Sequence, residues 1–148
     1  EYLMAARTFV DASILTRLFD DDEPERQAAA RASIGATDGP ALVVSGPVLA
    51  EFLDAVTTRM ARPLSAMVAR RALAELAELT VVPADASLVL AAADVADEVG
   101  LTIRDALAVE AAVVGGCDRM VTEAMAHGSL VRGVRVEDPA ETNGKPQI

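Results

Sequence analysis

The sequence is poor in cysteine, histidine and aromatic residues. Among its 148 residues there is one cysteine, one histidine and no tryptophan, and only 3% are aromatic. A single cysteine, Cys117, excludes a disulfide within the chain, and together with His127 it cannot provide the ligands of a structural zinc site. Because 52% of the residues are nevertheless hydrophobic, we predict a core of small aliphatic side chains between closely packed helices.

Long hydrophobic segments are also absent. No apolar run reaches the roughly 20 residues that a membrane-spanning helix requires, and the first residues lack a secretion-signal pattern. We therefore expect a cytoplasmic protein with no membrane partner. The length is typical of one domain, which we assign to residues 1–138, and the polar residues 139–148 are predicted to be a flexible tail.

Positive charge is scarce. The chain has 13 Lys and Arg against 23 Asp and Glu, which gives a net charge of −10 at pH 7. This charge repels a polyanion at long range, so an activity on nucleic acid would depend on a bound divalent cation and on individual arginines. A basic protein segment is an equally natural partner.

Short runs rich in strand-forming residues alternate with longer helical patterns. This alternation predicts a three-layer α/β fold in which helices flank a central parallel sheet of four to five strands. Predicted strands are 8–10, 41–45, 79–82 and 119–121, with 134–136 at an edge. Predicted helices lie near 12–19, 24–35, 46–60, 64–78, 86–99 and 105–114. Pro63 is placed in the first turn of the second helix of a helical hairpin, which is a candidate subunit interface.

Acidic residues at strand-to-helix junctions are the first candidates for a functional site, because ligands of parallel sheets bind at the carboxyl ends of the strands. Asp11 ends the run Thr8-Phe9-Val10 and precedes a predicted helix. Its carboxylate could serve a site or could cap the helix, since Asp is a preferred N-cap residue. These residues alone favour neither interpretation.

Two further acids have similar alternatives. Glu51 lies on the flank of its predicted helix, where it could lean over the sheet edge, although a solvated position is the simpler interpretation. Asp105 opens a segment that is apolar nearly all round and therefore predicts a buried helix, and Thr102 before it suggests a capping arrangement. If the three carboxylates converge, a pair about 4 Å apart would repel by roughly 4 kcal/mol at an effective dielectric constant near 20. A hard divalent cation such as Mg²⁺ or Mn²⁺ would relieve that repulsion and support phosphodiester hydrolysis.

The ordered motifs resemble those of PIN-domain toxins of the VapC type. The resemblance rests on Phe9-Val10-Asp11-Ala12-Ser13, Val48-Leu49-Ala50-Glu51-Phe52, Arg104-Asp105-Ala106-Leu107 and Gly116-Cys117-Asp118-Arg119-Met120-Val121-Thr122-Glu123, and it extends to Asp138. It implies a PIN-like fold and a Mg²⁺- or Mn²⁺-dependent endoribonuclease that cuts structured RNA such as tRNA. It also implies a homodimer and a cognate antitoxin with a basic segment that inhibits the toxin. Asp11, Glu51 and Asp105 correspond to the catalytic, metal-binding acids.

The chain departs from the VapC pattern after the fourth strand. The family has Thr or Ser, any residue, then Asp, whereas this chain has Thr122-Glu123-Ala124, so the fourth acid is missing. Asp118 cannot replace it because it precedes the strand. The side chain of Glu123 would point roughly 100° away from that of its neighbour in a helical turn, and we expect it to be a solvated acid. Ala124 is compatible with natural divergence and with an engineered change.

Three other classes of protein share some of these features. A PIN module with little or no catalytic activity, which acts by binding its antitoxin, is favoured by Ala124 and by the acidic net charge. A phosphoacceptor receiver domain would need a lysine after its last strand, but the only lysine is Lys145 in the tail. A haloacid-dehalogenase-like phosphatase would need an acid at position 13, which is Ser13.

Overall fold

A computed structural model describes residues 6–37 and 39–143. The strands are β1 (Thr8–Val10), β2 (Leu42–Ser45), β3 (Thr80–Val82), β4 (Arg119–Val121), β5 (Leu130–Val131) and β6 (Val134–Glu137). The helices are α1 (Ala12–Arg17), α2 (Pro24–Gly35), α3 (Gly46–Asp54), α4 (Ala66–Leu76), α5 (Ala86–Val99), α6 (Ile103–Val114) and α7 (Pro139–Asn143). A π-helical turn, Ala55–Arg59, continues α3.

The strands form one mixed sheet in the order β3-β2-β1-β4-β6-β5. All neighbouring pairs are parallel except β5 and β6. The predicted α/β class with a central parallel sheet is therefore confirmed. The segment predicted as an edge strand, 134–136, is not at the edge. The two-residue strand β5, which was not predicted, pairs with its outer side. A tight turn at Arg132 and Gly133, both with positive φ, connects the two strands. Among the described residues, the sheet thus has one strand more than the predicted maximum.

The topology places a crevice beside the central strand. From β1 the chain continues outward to β2 and β3, then returns to the other side of β1 to form β4. Connections at the carboxyl ends of β1 and β4 therefore leave in different directions, and such a switch point is where α/β sheets bind ligands. The residues that follow β1 and β4 are Asp11 and Thr122.

The core is built largely from small aliphatic side chains, as predicted. In α6, Ala106, Ala111 and Ala112 have no exposed surface, which confirms the predicted burial of this helix. Alanine lets the helix approach the sheet closely. At Gly115, an added Cβ would lie 2.8 Å from Val43 Cγ1 in β2. The end of α6 therefore contacts the sheet with no room for a side chain.

Two predictions near element ends need correction. Pro63 precedes α4, which begins at Ala66, and Ser65 is its N-cap, accepting a bond from the Val68 backbone N–H at 3.3 Å. Beyond Asp138 we expected a tail, but Pro139–Asn143 form α7, which contacts α2. Residues 144–148 lie outside the described part of the chain. Within the described ranges, no helix is both long and apolar enough to cross a membrane.

Candidate active site

Asp11 is held at the carboxyl end of β1 by two hydroxyl groups. Its backbone N–H donates to Val121 O in β4 at 3.1 Å, and the residue is 8% exposed. Although Asp11 is at the N-cap position of α1, its side chain makes no capping bond. Instead, Oδ2 accepts bonds from Ser13 Oγ and Thr122 Oγ1, each at 2.8 Å. The capping interpretation is therefore wrong, and Oδ1 accepts no hydrogen bond from the described residues.

The same hydroxyls anchor the turn after β4. Thr122 is 1% exposed and accepts a bond from the Ala124 backbone N–H at 2.9 Å. Ser13 Oγ accepts one from the Glu123 backbone N–H at 3.0 Å. The sequence pattern assigned Ser13 no role at the site, yet its hydroxyl supports Asp11 in the structure. Its position two residues after an acid at a strand end was the available signal.

Glu51 is half-buried rather than solvated. Its side chain is 23% exposed, and Oε2 accepts a bond from Arg104 Nη1 at 2.6 Å. Burial raises the pKa of Glu51, the Arg104 charge opposes that rise, and the negative charges of Asp11 and Asp105 add to it. Asp11 and Asp105 therefore both act on Glu51 electrostatically. The interpretation of Glu51 as a solvated residue is wrong.

Asp105 lies in the first turn of α6 with a carboxylate that does not cap the helix. Thr102 is the N-cap, and its hydroxyl accepts the Asp105 backbone N–H at 3.1 Å. This confirms one of the two bonds of a capping box, while the reciprocal bond from the acid is not among those formed. Asp105 Oδ1 lies 3.8 Å from Arg104 Nη2. Capping thus uses the backbone of Asp105 and leaves its carboxylate available.

The three acids do not form a ready-made metal site. Within residues 6–37 and 39–143, no three His, Cys, Asp or Glu side chains are placed to hold a metal ion together. Arg104 bridges Glu51 and Asp105. The donor chemistry nevertheless fits Mg²⁺ or Mn²⁺, because Mg²⁺ keeps several waters and needs only one or two carboxylates. Asp11 has a free Oδ1, and Glu51 would become available once the guanidinium leaves.

A cleft of about 260 Å³ opens beside these residues. Its lining is Ala12, Ser13, Thr16, Arg17, Asp20, Glu51, Ala55, Arg59, Met60, Arg104 and Glu123. Asp11 and Asp105 do not line it, although their neighbours Ser13 and Arg104 do. Three arginines and three acids balance in the lining, so the excess negative charge of the chain does not extend along the cleft wall.

Neither Glu123 nor Ala124 provides the fourth acid of the family pattern. The Glu123 side chain is 13% exposed and pairs with Arg17 at 3.0 Å and with Arg26 at 3.4 Å. The prediction of a solvated acid is therefore wrong. Ala124 is exposed and carries no carboxylate. Asp118 precedes β4 and is exposed, which agrees with its exclusion from the site.

Several solved structures share this fold. A toxin–antitoxin complex from Klebsiella pneumoniae has a chain that is 15% identical, with a TM-score of 0.68 and coverage of 89% of this chain and 97% of that one. VapC20 of Mycobacterium tuberculosis, a sarcin-ricin loop cleaving toxin, is 21% identical, with a TM-score of 0.61 and coverage of 76% and 86%. DNA-bound VapBC from Salmonella typhimurium is 17% identical, with a TM-score of 0.55 and coverage of 90% and 98%. At these identities the likeness concerns the fold.

Sequence comparison identifies the family directly. No curated protein sequence matches the chain significantly. The PIN domain family, however, matches residues 8–123, from the first residue of β1 to the turn after β4. This segment contains Asp11, Glu51 and Asp105 and spans most of the chain. The chain therefore belongs to the PIN domain family.

Proposed function

We propose that this protein is a VapC-type ribonuclease toxin that hydrolyses RNA phosphodiester bonds with Mg²⁺ or Mn²⁺. The observation that carries the proposal is the state of Asp11. A carboxylate at the switch point of the sheet is oriented by two hydroxyls, makes no capping bond and keeps one oxygen available. In a purely structural N-cap, that carboxylate would instead accept a hydrogen bond from a backbone N–H of the helix.

The three acids and one arginine have different roles in this proposal. Asp11 and Glu51 would hold the cation directly, and Asp105 would add negative charge beside it from the first turn of α6. A divalent cation bound there would polarise a phosphate oxygen and activate water for hydrolysis. Arg59 lines the cleft and forms an exposed pair with Asp54 at 3.4 Å, which it would exchange for an RNA phosphate. Its positive charge would locally oppose the repulsion of RNA by the net negative charge of the chain.

The proposed partners are RNA, an antitoxin and a second copy of the chain. A basic antitoxin segment would insert an arginine among Asp11, Glu51 and Asp105, since a guanidinium pairs well with carboxylates. A complex in which no basic side chain enters the cleft would exclude this mode of inhibition. For the homodimer, the proposed surface is the start of α4, where Met67 is 70% and Val68 44% exposed.

A PIN module with impaired activity is the second candidate. It is favoured by Ala124, which provides no fourth carboxylate, and by Glu123, whose carboxylate is bound by Arg17 and Arg26. Such a protein would act through its antitoxin rather than through RNA cleavage. Ala124→Asp restores the fourth acid of the VapC pattern, so we expect it to cleave RNA faster than the parent chain and to bind a second metal ion more tightly. Equal activity of the two proteins would refute this expectation.

The deciding experiment combines metal binding with RNA cleavage. Calorimetry with Mn²⁺ and Mg²⁺ is run on the parent chain, Asp11→Asn and Ala124→Asp, with cleavage of a total tRNA pool alongside. Asp94→Asn is the matched control, because Asp94 is exposed on α5. Binding that is lost only in Asp11→Asn supports the metal site. If the parent and Ala124→Asp both fail to bind metal, the nuclease proposal is abandoned.

A further inference from the structure

Arg104 is the positively charged residue that pairs with Glu51 and Asp105 in this structure. From the first turn of α6, its guanidinium reaches Glu51 in α3, 53 residues away in the sequence. Nη1 lies 2.6 Å from Glu51 Oε2, and Nη2 lies 3.8 Å from Asp105 Oδ1. In the described ranges, no other basic side chain lies within ion-pair distance of either carboxylate. The two acids therefore share a single arginine.

The position of Arg104 in its helix does not explain its orientation. A positive charge in the first turn of a helix is opposed by the partial positive charge of the N-terminus. Arg104 has no role in capping, which Thr102 performs. Half of its side chain, 52%, remains exposed, so solvent could accommodate the guanidinium elsewhere. Its orientation is thus set by the carboxylates of Glu51 and Asp105.

We propose that Arg104 is an internal counter-ion that a divalent cation must displace, and that it thereby sets the metal affinity of the site. This inference rests on the proposed metal-dependent function. A cation bound to Glu51 takes the carboxylate that Arg104 now occupies, and the two positive charges also repel. Breaking the pair between Arg104 and Glu51 therefore opposes metal binding and lowers the affinity of the site. When the metal binds, the guanidinium swings away from Glu51 towards solvent in the cleft.

Calorimetry with Mn²⁺ on Arg104→Gln and Arg104→Lys tests the inference. Arg104→Gln should lower the Mn²⁺ dissociation constant at least tenfold, because the competitor is gone and the carboxylates remain. Arg104→Lys keeps the charge and should stay within about threefold of the parent. Arg62→Gln is the matched control, because it removes one positive charge from an exposed pair with Asp22 that lies outside the cleft. It should also leave the dissociation constant within about threefold.

A second measurement follows the displacement itself. The Nε–H resonance of Arg104, assigned by its loss in Arg104→Gln, should move when Mg²⁺ is added to the parent chain. If the parent binds Mn²⁺ and Arg104→Gln binds it no more tightly, the counter-ion inference is wrong while the proposed function stands. If neither the parent nor Arg104→Gln binds Mn²⁺, the metal-dependent function is wrong and the inference falls with it.

Discussion

Removing the Thr122 hydroxyl should lower the free energy of unfolding by an amount that depends on the charge of Asp11. Thr122→Val keeps the shape of a side chain that is 1% exposed and deletes the bond to Asp11 Oδ2. The carboxylate then keeps only the Ser13 hydroxyl. The Ala124 backbone N–H also loses its acceptor, but Ala124 is exposed, so water can replace the bond.

The expected loss follows from the type of bond. A hydrogen bond to a charged group contributes about 1.5–3 kcal/mol, and a hydroxyl bonded to a neutral group contributes about 0.5–1.5 kcal/mol. We expect Thr122→Val to lower the free energy of unfolding by about 2 kcal/mol. For a chain of this size that loss corresponds to a fall in Tm of roughly 4–8 °C.

A double-mutant cycle with Asp11→Asn measures how much of this loss depends on the charge of the Asp11 carboxylate. Urea unfolding in the presence of EDTA gives the four free energies, and in the Asp11→Asn background Thr122→Val should cost about 1 kcal/mol less than in the parent. Thr57→Val is the control, because the Thr57 hydroxyl bonds only to backbone carbonyls of its own helix. An equal loss in both backgrounds would show that Thr122 does not support a carboxylate and would remove the main argument for the site.

Three further predictions concern the rest of the fold. Gly115→Ala should lower the free energy of unfolding by about 1–3 kcal/mol, because its Cβ would press on Val43 Cγ1 in the core; chemical denaturation measures this. Arg132→Met leaves the carboxylate of Glu110, which is 4% exposed, without the two bonds it accepts at 2.9 and 3.3 Å. Because the buried carboxylate loses its partner, the variant should unfold at a lower denaturant concentration, and an unchanged midpoint would mean that this pair contributes nothing. Burial raises the pKa of Cys117 to about 11, so at pH 8 the native thiol should react with iodoacetamide about 100-fold more slowly than the unfolded thiol; equal rates would contradict this.

Most of the fold was predictable because its signals are local. Short runs rich in strand-forming residues predicted β1 and β4, and the bounds of α2 and α5 agree with the predicted 24–35 and 86–99. Such elements depend on residue spacing and on breakers close in the sequence. The edge of the sheet was not predictable in this way. Strand β5 has only two residues, and its pairing with β6 depends on the turn at Arg132 and Gly133.

The sequence by itself determined which acids could matter, since a parallel α/β pattern directs attention to residues that follow strands. Tertiary structure alone decided which groups each acid contacts. Thr122 lies 111 residues from Asp11, and Arg104 lies 53 residues from Glu51, so no local pattern reveals their bonds. Glu123 shows the same limit, because its burial comes from two arginines on α1 and α2. A side chain's free energy depends on which charges surround it, and those charges are brought together only when the sheet assembles.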